Sequence, residues 1–166
     1  MKFRAKGWPI KRALHVVVAG LILFAAGSPG ANAAAPYSGT QVIETPFAYK
    51  VLTGRLIKAI RKNRMGIIAR ASATIGAKSI GVTIPGNMVI MVFRPDFAVR
   101  MLKASVPAGI EAPLRFYVTE NKDGKANLTY RKPSSVFAPY GSPDLDRLAG
   151  EIDIIFGKII EDTLKK

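Results

Sequence analysis

Arg94, Arg115, Tyr117, Glu120, Tyr130 and Arg131 hold most of the chemistry that this chain can offer. Guanidinium groups beside phenols suit a carboxylate or a phosphate, because the planar arginine fork donates two parallel hydrogen bonds to such an anion. Arg115 and Tyr117 are two apart, which in a strand places them on one face. The competing reading of the same residues is a solvated sheet face with local Arg–Glu pairs. Lys78, within Gly76-Ala77-Lys78-Ser79, adds a second anion candidate, in which Gly76 and Gly81 expose amides as a nest, against the more common reading of a plain flexible turn. It is not a nucleotide phosphate loop, since that motif requires glycine at positions 72 and 77, where Ser72 and Ala77 stand.

Other chemistry lacks its parts. The only histidine is His15, the only tryptophan is Trp8, and there is no cysteine. Both of those residues fall in a leader. Residues 1–12 carry Lys2, Arg4, Lys6, Lys11 and Arg12 with no acid, 13–26 are almost wholly apolar, and Ser28-Pro29-Gly30 precedes Ala31-Asn32-Ala33. That order is the pattern of a secretory signal peptide over residues 1–33, with cleavage after Ala33. The alternative, an uncleaved membrane anchor, has an apolar run of about 14 residues against the roughly 20 needed to span a bilayer. The exported chain then has no His, Cys or Trp. A Ser-His-Asp or Cys-His device cannot be assembled from it, and no S-x-x-K occurs in it. No metal and no cofactor is expected: Met88 and Met91 fall on opposite faces of a strand, and carboxylates of calcium-loop spacing are missing. A glycosidase-like pair of acids would have to come from Asp96, Glu111, Glu120 and Asp123. Each of these has a simpler local role at a helix start, strand end or turn.

Charge is distributed unevenly. From residue 34 onward there are 20 cations and 11 acids. Between Lys50 and Lys103 stand 11 cations and the single acid Asp96, whereas the stretch from Asp144 to Lys166 is net acidic. Such a field favours anionic partners. An exported protein rarely meets nucleic acid, so none is expected, and a small anion or an envelope component fits better. The face formed by Arg55, Lys58 and Lys62 on a helix over 50–64 could rest on anionic lipid, at roughly 1 kcal/mol per nearby cation. It supports peripheral attraction and not insertion.

These residues need elements to hold them. Residues 34–40 read as a flexible leader and 41–166 as one domain, long enough to bury its own core without disulfides. A strand is expected over 40–49, then the helix over 50–64 stopped by Gly66, and a strand over 67–74. The Gly-rich 75–86 is a short helix or a loop. Met88–Phe93 is unbroken and apolar, as in a central strand covered on both faces. Pro95 opens a short helix over 96–104. Leu114, Phe116 and Val118, then Ala126, Leu128 and Tyr130, alternate with polar residues around Asp123-Gly124, the signature of a hairpin. Residues 133–141 read as a loop. Ser142-Pro143-Asp144 starts a long helix over 144–164, where Ile154 and Ile160 widen the apolar stripe beyond one face. That width predicts a homodimer through residues 144–164.

Several local signatures in order resemble the domain-of-unknown-function family 302: Val89–Phe93 with Arg94-Pro95, Met101-Leu102 and Pro107, then Ala112-Pro113-Leu114, Glu120, Asp123-Gly124, Leu128–Tyr130 and Pro133. The resemblance covers most of residues 41–140 and implies a compact, dimeric α+β domain without an established activity. Two motifs depart from it. Arg94-Pro95 replaces a Gly-Asn-Pro-like turn, and Arg70-Ala71-Ser72-Ala73 stands where many members carry an Asp-His pair.

The expected protein is therefore an exported, periplasmic α+β domain, a mixed or antiparallel sheet with a C-terminal β-hairpin packed by about three helices. Its expected role is non-catalytic binding of an anionic small molecule or envelope component. A hydrolase using carboxylates and arginines, and a ligand-free structural homodimer, are the alternatives.

Overall fold

The computed structural model describes residues 37–165. The leader assigned to 1–33, with His15 and Trp8, lies outside them. The elements run β1 (Thr40–Ala48), α1 (Tyr49–Lys62), β2 (Gly66–Ala71), α2 (Ala73–Ser79), β3 (Asn87–Phe93), α3 (Pro95–Ala104), β4 (Leu114–Glu120), β5 (Lys125–Arg131), α4 (Pro133–Phe137) and α5 (Pro143–Leu164). Short 3-10 turns at Pro107–Glu111 and Ala138–Tyr140 join them. The five strands form one sheet, ordered β1-β5-β4-β3-β2, with every neighbouring pair antiparallel.

The long helices cover one face of this sheet. Leu52, Leu56, Ala59 and Ile60 of α1 and Leu145, Leu148, Ala149, Ile152, Phe156 and Ile159 of α5 are buried. They meet Ile90, Val92, Phe116, Val118, Ala126 and Leu128, the inward residues of three alternating strands. Phe116 and Phe156 stack with centroids 4.5 Å apart. Ser142 caps α5 by accepting from the Leu145 N–H at 3.4 Å, with Pro143 in the first turn and Asp144 and Asp146 on its positive dipole end. At the far end of α5, Arg55 donates to the Thr163 carbonyl at 2.7 Å and to that of Lys165, while Asn63 and Lys62 hold Asp162.

Four local expectations change. The helix is not stopped by Gly66: Arg64 takes the left-handed conformation (φ 58°), Met65 N–H donates to Ile60 O and Arg64 N–H to Arg61 O. This is a Schellman turn, pinned by the buried Met65. β3 lies second from the β2 edge, with only Ile90 and Val92 buried and Val89, Met91 and Phe93 half-exposed, because no second layer among the described residues covers the face away from the helices. The strand expected over 67–74 ends at Ala71, and α2, capped by Ser72, takes Ala73–Ser79. The expected loop at 133–141 opens as α4, where Pro133 sits in the first turn and Val136 and Phe137 are buried.

Candidate functional site

The β4–β5 hairpin builds the site. Its turn closes through Asn121 N–H to Lys125 O at 2.7 Å and Gly124 N–H to Asn121 O at 3.0 Å, with Gly124 at φ +77°. Asp123 accepts from the Lys125 N–H, which holds its carboxyl below the usual carboxylate range. The turn fixes the register, in which Phe116 pairs with Tyr130 and Tyr117 with Thr129. Arg115 and Arg131 follow one residue further toward the open end of the hairpin, where both line one cavity.

A cavity of about 60 Å³ opens there, lined by Glu111, Leu114, Arg115, Arg131 and Val136. Arg131 is half-buried, its guanidinium lies 5.2 Å from the Tyr37 ring, and its Nε is buried without a hydrogen-bond partner. Among the described residues, neither arginine has a carboxylate oxygen within 4 Å. Glu111 on the cavity wall accepts from the Tyr140 hydroxyl at 3.1 Å. Burial, and then that carboxylate, push the Tyr140 phenol up. Two cross-strand guanidiniums repel one another, and an oxyanion bridging them would convert the repulsion into charge-assisted hydrogen bonds.

The remaining sequence candidates divide. Tyr117 shares the face of Arg115, its hydroxyl accepting from Asn87 Nδ2 at 2.5 Å. Tyr130 does not: it points to the helix side, 5.9 Å from both Phe116 and Phe156, where burial raises its phenol. Glu120 sits at the opposite end of β4 and accepts from the Gly86 N–H at 2.6 Å. Arg94 is spent locally. It grips Asp96 with two bonds of 2.7 Å and lies 3.5 Å over the Phe97 ring. That contact holds the Asp96 carboxyl down and the Arg94 guanidinium up. Lys78 is exposed on α2, which Thr74 ties to Asn87 beside the Glu120 end of β4, the end away from the cavity at Arg115 and Arg131. The nest expected around it does not form, since the Gly76 N–H donates to Ser72 O and the Gly81 N–H to Lys78 O.

Glu111, Tyr140 and Tyr37 complete the site without a periodic sequence signal, because each sits in a turn or before the first strand. Arg55, Lys58 and Lys62 line a groove with Asp162 and Lys165, so two of those three cations are engaged by α5. On α5, Ile160 packs against the core and Ile154 remains 62 % exposed. Five of the best-formed cavities on the described surface are each lined by at most one carboxylate. Among the described residues no group of three or more His, Cys, Asp or Glu gathers around a point, and no helix is long and apolar enough to cross a membrane.

An antiparallel sheet with helices on one face defines a two-layer α+β domain. A family model described as "Domain of unknown function DUF302" matches residues 42–163, and the chain belongs to that family. A similar solved structure is the uncharacterised conserved protein DUF302 from Bacillus stearothermophilus. It is 16 % identical with a TM-score of 0.67, and the match covers 76 % of this chain and 98 % of that one. At that identity the likeness concerns the fold. No curated protein matches the chain.

Proposed function

We propose that this domain is an exported, non-catalytic binder of a small oxyanion, a carboxylate or phosphate group seated between Arg115 and Arg131. The observation that carries this reading is two guanidiniums on one cavity that have no carboxylate partner among the described residues, one with a buried, unsatisfied Nε. The cavity has room for the anionic head of a ligand, whose remainder would extend over Tyr117 and Thr129 on the open face. The cation-rich, then apolar opening of the sequence supports export to the periplasm. A homodimer through α5 is a second reading that rests on the outward Ile154, and light scattering at micromolar concentration decides it.

Thermal-shift titration with phosphate, acetate and citrate at low and high salt tests the main reading. Saturable stabilisation is expected for at least one anion, reaching about 2.7 kcal/mol at a hundredfold excess over Kd. It should disappear in Arg131→Ala. An unmoved melting point across all three anions, or the same response in the variant, overturns it.

A further inference from the structure

Four large aliphatic side chains stand in solvent between Ile68 and Val82: Ile68 (55 % exposed), Ile75 (69 %), Ile80 (77 %) and Val82 (47 %). They belong to β2, the outermost strand, and to α2 with the turn that follows it. α2 buries none of its residues. Polar bonds attach it to the sheet and its flanking loop instead: the Ser72 hydroxyl donates to Asn87 O at 3.1 Å, and the Thr74 hydroxyl accepts from Asn87 N–H at 2.7 Å and donates to Pro85 O at 3.1 Å. The Ile80 and Val82 N–H groups both donate to Ala77 O, which folds the turn back onto the helix, so that Ile75, Ile80 and Val82 belong to one short helix-and-turn unit, the α2 knob. Among the described residues none of the four belongs to the core or packs against it, and clustered exposed aliphatics mark a surface meant to be covered.

Charge identifies what covers it. From Thr45 to Pro95 the chain contains no Asp or Glu, while Arg70 and Lys78 flank the knob. Among the described residues neither cation has a carboxylate oxygen within 4 Å. The acid at the base of this region, Glu120, is turned inward onto Gly86 N–H. A second copy of the knob would bring like charge against like charge. An anionic bilayer supplies the opposite sign together with an apolar layer just beneath it. We infer that the α2 knob docks on anionic membrane, with Ile75, Ile80 and Val82 at the acyl boundary and Arg70 and Lys78 among the headgroup phosphates.

The chain has no cysteine, so Ile80→Cys gives the full-length protein a single attachment point for an environment-sensitive fluorophore. The same label at Ile154→Cys on α5 is the control for adsorption through any other part of the chain. Phosphatidylcholine vesicles containing phosphatidylglycerol should blue-shift and brighten the label at position 80, while pure phosphatidylcholine vesicles should not. The label at 154 should stay unchanged. Arg70→Glu with Lys78→Glu should weaken the response by about tenfold or more. No response at position 80 overturns the inference, as does an equal response at both positions. A vesicle-independent change at position 80 that disappears on dilution would assign the knob to a second copy and overturn it equally. If labelled Ile80→Cys melts well below the unlabelled chain, Ile75→Cys, also exposed, repeats the reading.

Discussion

Replacing Arg115 with glutamine removes one of two facing guanidiniums while keeping a polar strand residue, and the expected outcome has opposite signs with and without an anion. Side chains directly across an antiparallel pair begin about 5 Å apart at Cβ. Two unit charges some 7 Å apart repel by roughly 0.6 kcal/mol in water and about 2.4 kcal/mol at an effective dielectric of 20. Arg115 is exposed and Glu111 on the cavity wall offsets part of the field, so the lower end applies, about 0.5–1 kcal/mol. In low salt without phosphate, Arg115→Gln should therefore melt at the wild-type temperature or about 2–4 °C above it. With phosphate the order reverses. Losing a charge-assisted bond worth about 1.5–3 kcal/mol raises Kd at least tenfold, which cuts a stabilisation of about 2.7 kcal/mol to about 1.4 or less. Differential scanning fluorimetry in low-salt buffer, with and without phosphate, reads both effects. A variant that loses more than about 1 kcal/mol without anion, or keeps the whole phosphate response, refutes the clamp.

Three further outcomes test the scaffold. Phe156→Ala removes a fully buried ring stacked on Phe116 and should cost about 3–5 kcal/mol in urea unfolding, whereas a loss below about 1.5 kcal/mol would mean that the aromatic cluster is not packed as described. Two glycines should respond oppositely to alanine. A Cβ at Gly86 meets Tyr49 ring atoms at 2.4–2.7 Å and should destabilise by about 1–3 kcal/mol, while Gly157 on α5 has open space and should gain about 0.5–1 kcal/mol, with calorimetry comparing the two. Asp162, hydrogen-bonded first by Lys62 and then by Asn63, has its carboxyl pulled below the ordinary 3.8. A depressed folded-state value adds stability that is present above the unfolded carboxyl value and lost as pH falls through the folded one. Asp162→Asn should therefore flatten the acid limb of a stability–pH profile below about pH 4, and an unchanged limb would show the α1–α5 contact to be energetically idle.

What could be read from the sequence followed from local periodicity. Alternation in Leu114–Val118 and Ala126–Tyr130 places Arg115, Tyr117 and Arg131 on one face, and the same parity sends Tyr130 to the other, as found. Bringing Arg115 and Arg131 to one cavity additionally requires the register of the hairpin, which the turn at Asn121–Gly124 sets. Arg94 was misplaced because its fate depends on Asp96 two residues on and on Phe97 beneath it, a local capture that leaves no guanidinium to share. The covering of β3 could not be foreseen either. An apolar strand reads as doubly buried, yet whether a second layer exists depends on where all the helices go, and here they pack on one side. Glu111 and Tyr140 meet across 29 residues between two irregular turns, where no period operates.

The two arginines lack a carboxylate partner for a reason that can be followed through the acids. From residue 34 onward, 20 cations face 11 acids, so counterions are scarce before any geometry is considered. Asp96, Asp123, Asp144, Glu151 and Asp162 are taken by ion pairs. Glu120 and Asp153 accept from backbone N–H groups of Gly86 and Ser134, and Glu111 accepts from Tyr140. The helix side of the sheet is apolar and admits no charge, which leaves surplus cations to solvent, to grooves and to the bare face. Most of that surplus sits on flexible lysines or exposed arginines that water satisfies at little cost. Arg131 differs, because its Nε is withdrawn from water and has no partner among the described residues, which is costly to maintain. An anion supplied from outside the chain satisfies that donor and relieves the repulsion from Arg115 in the same step. The folded domain should therefore be more stable in phosphate than in an equal concentration of a monovalent salt that only screens.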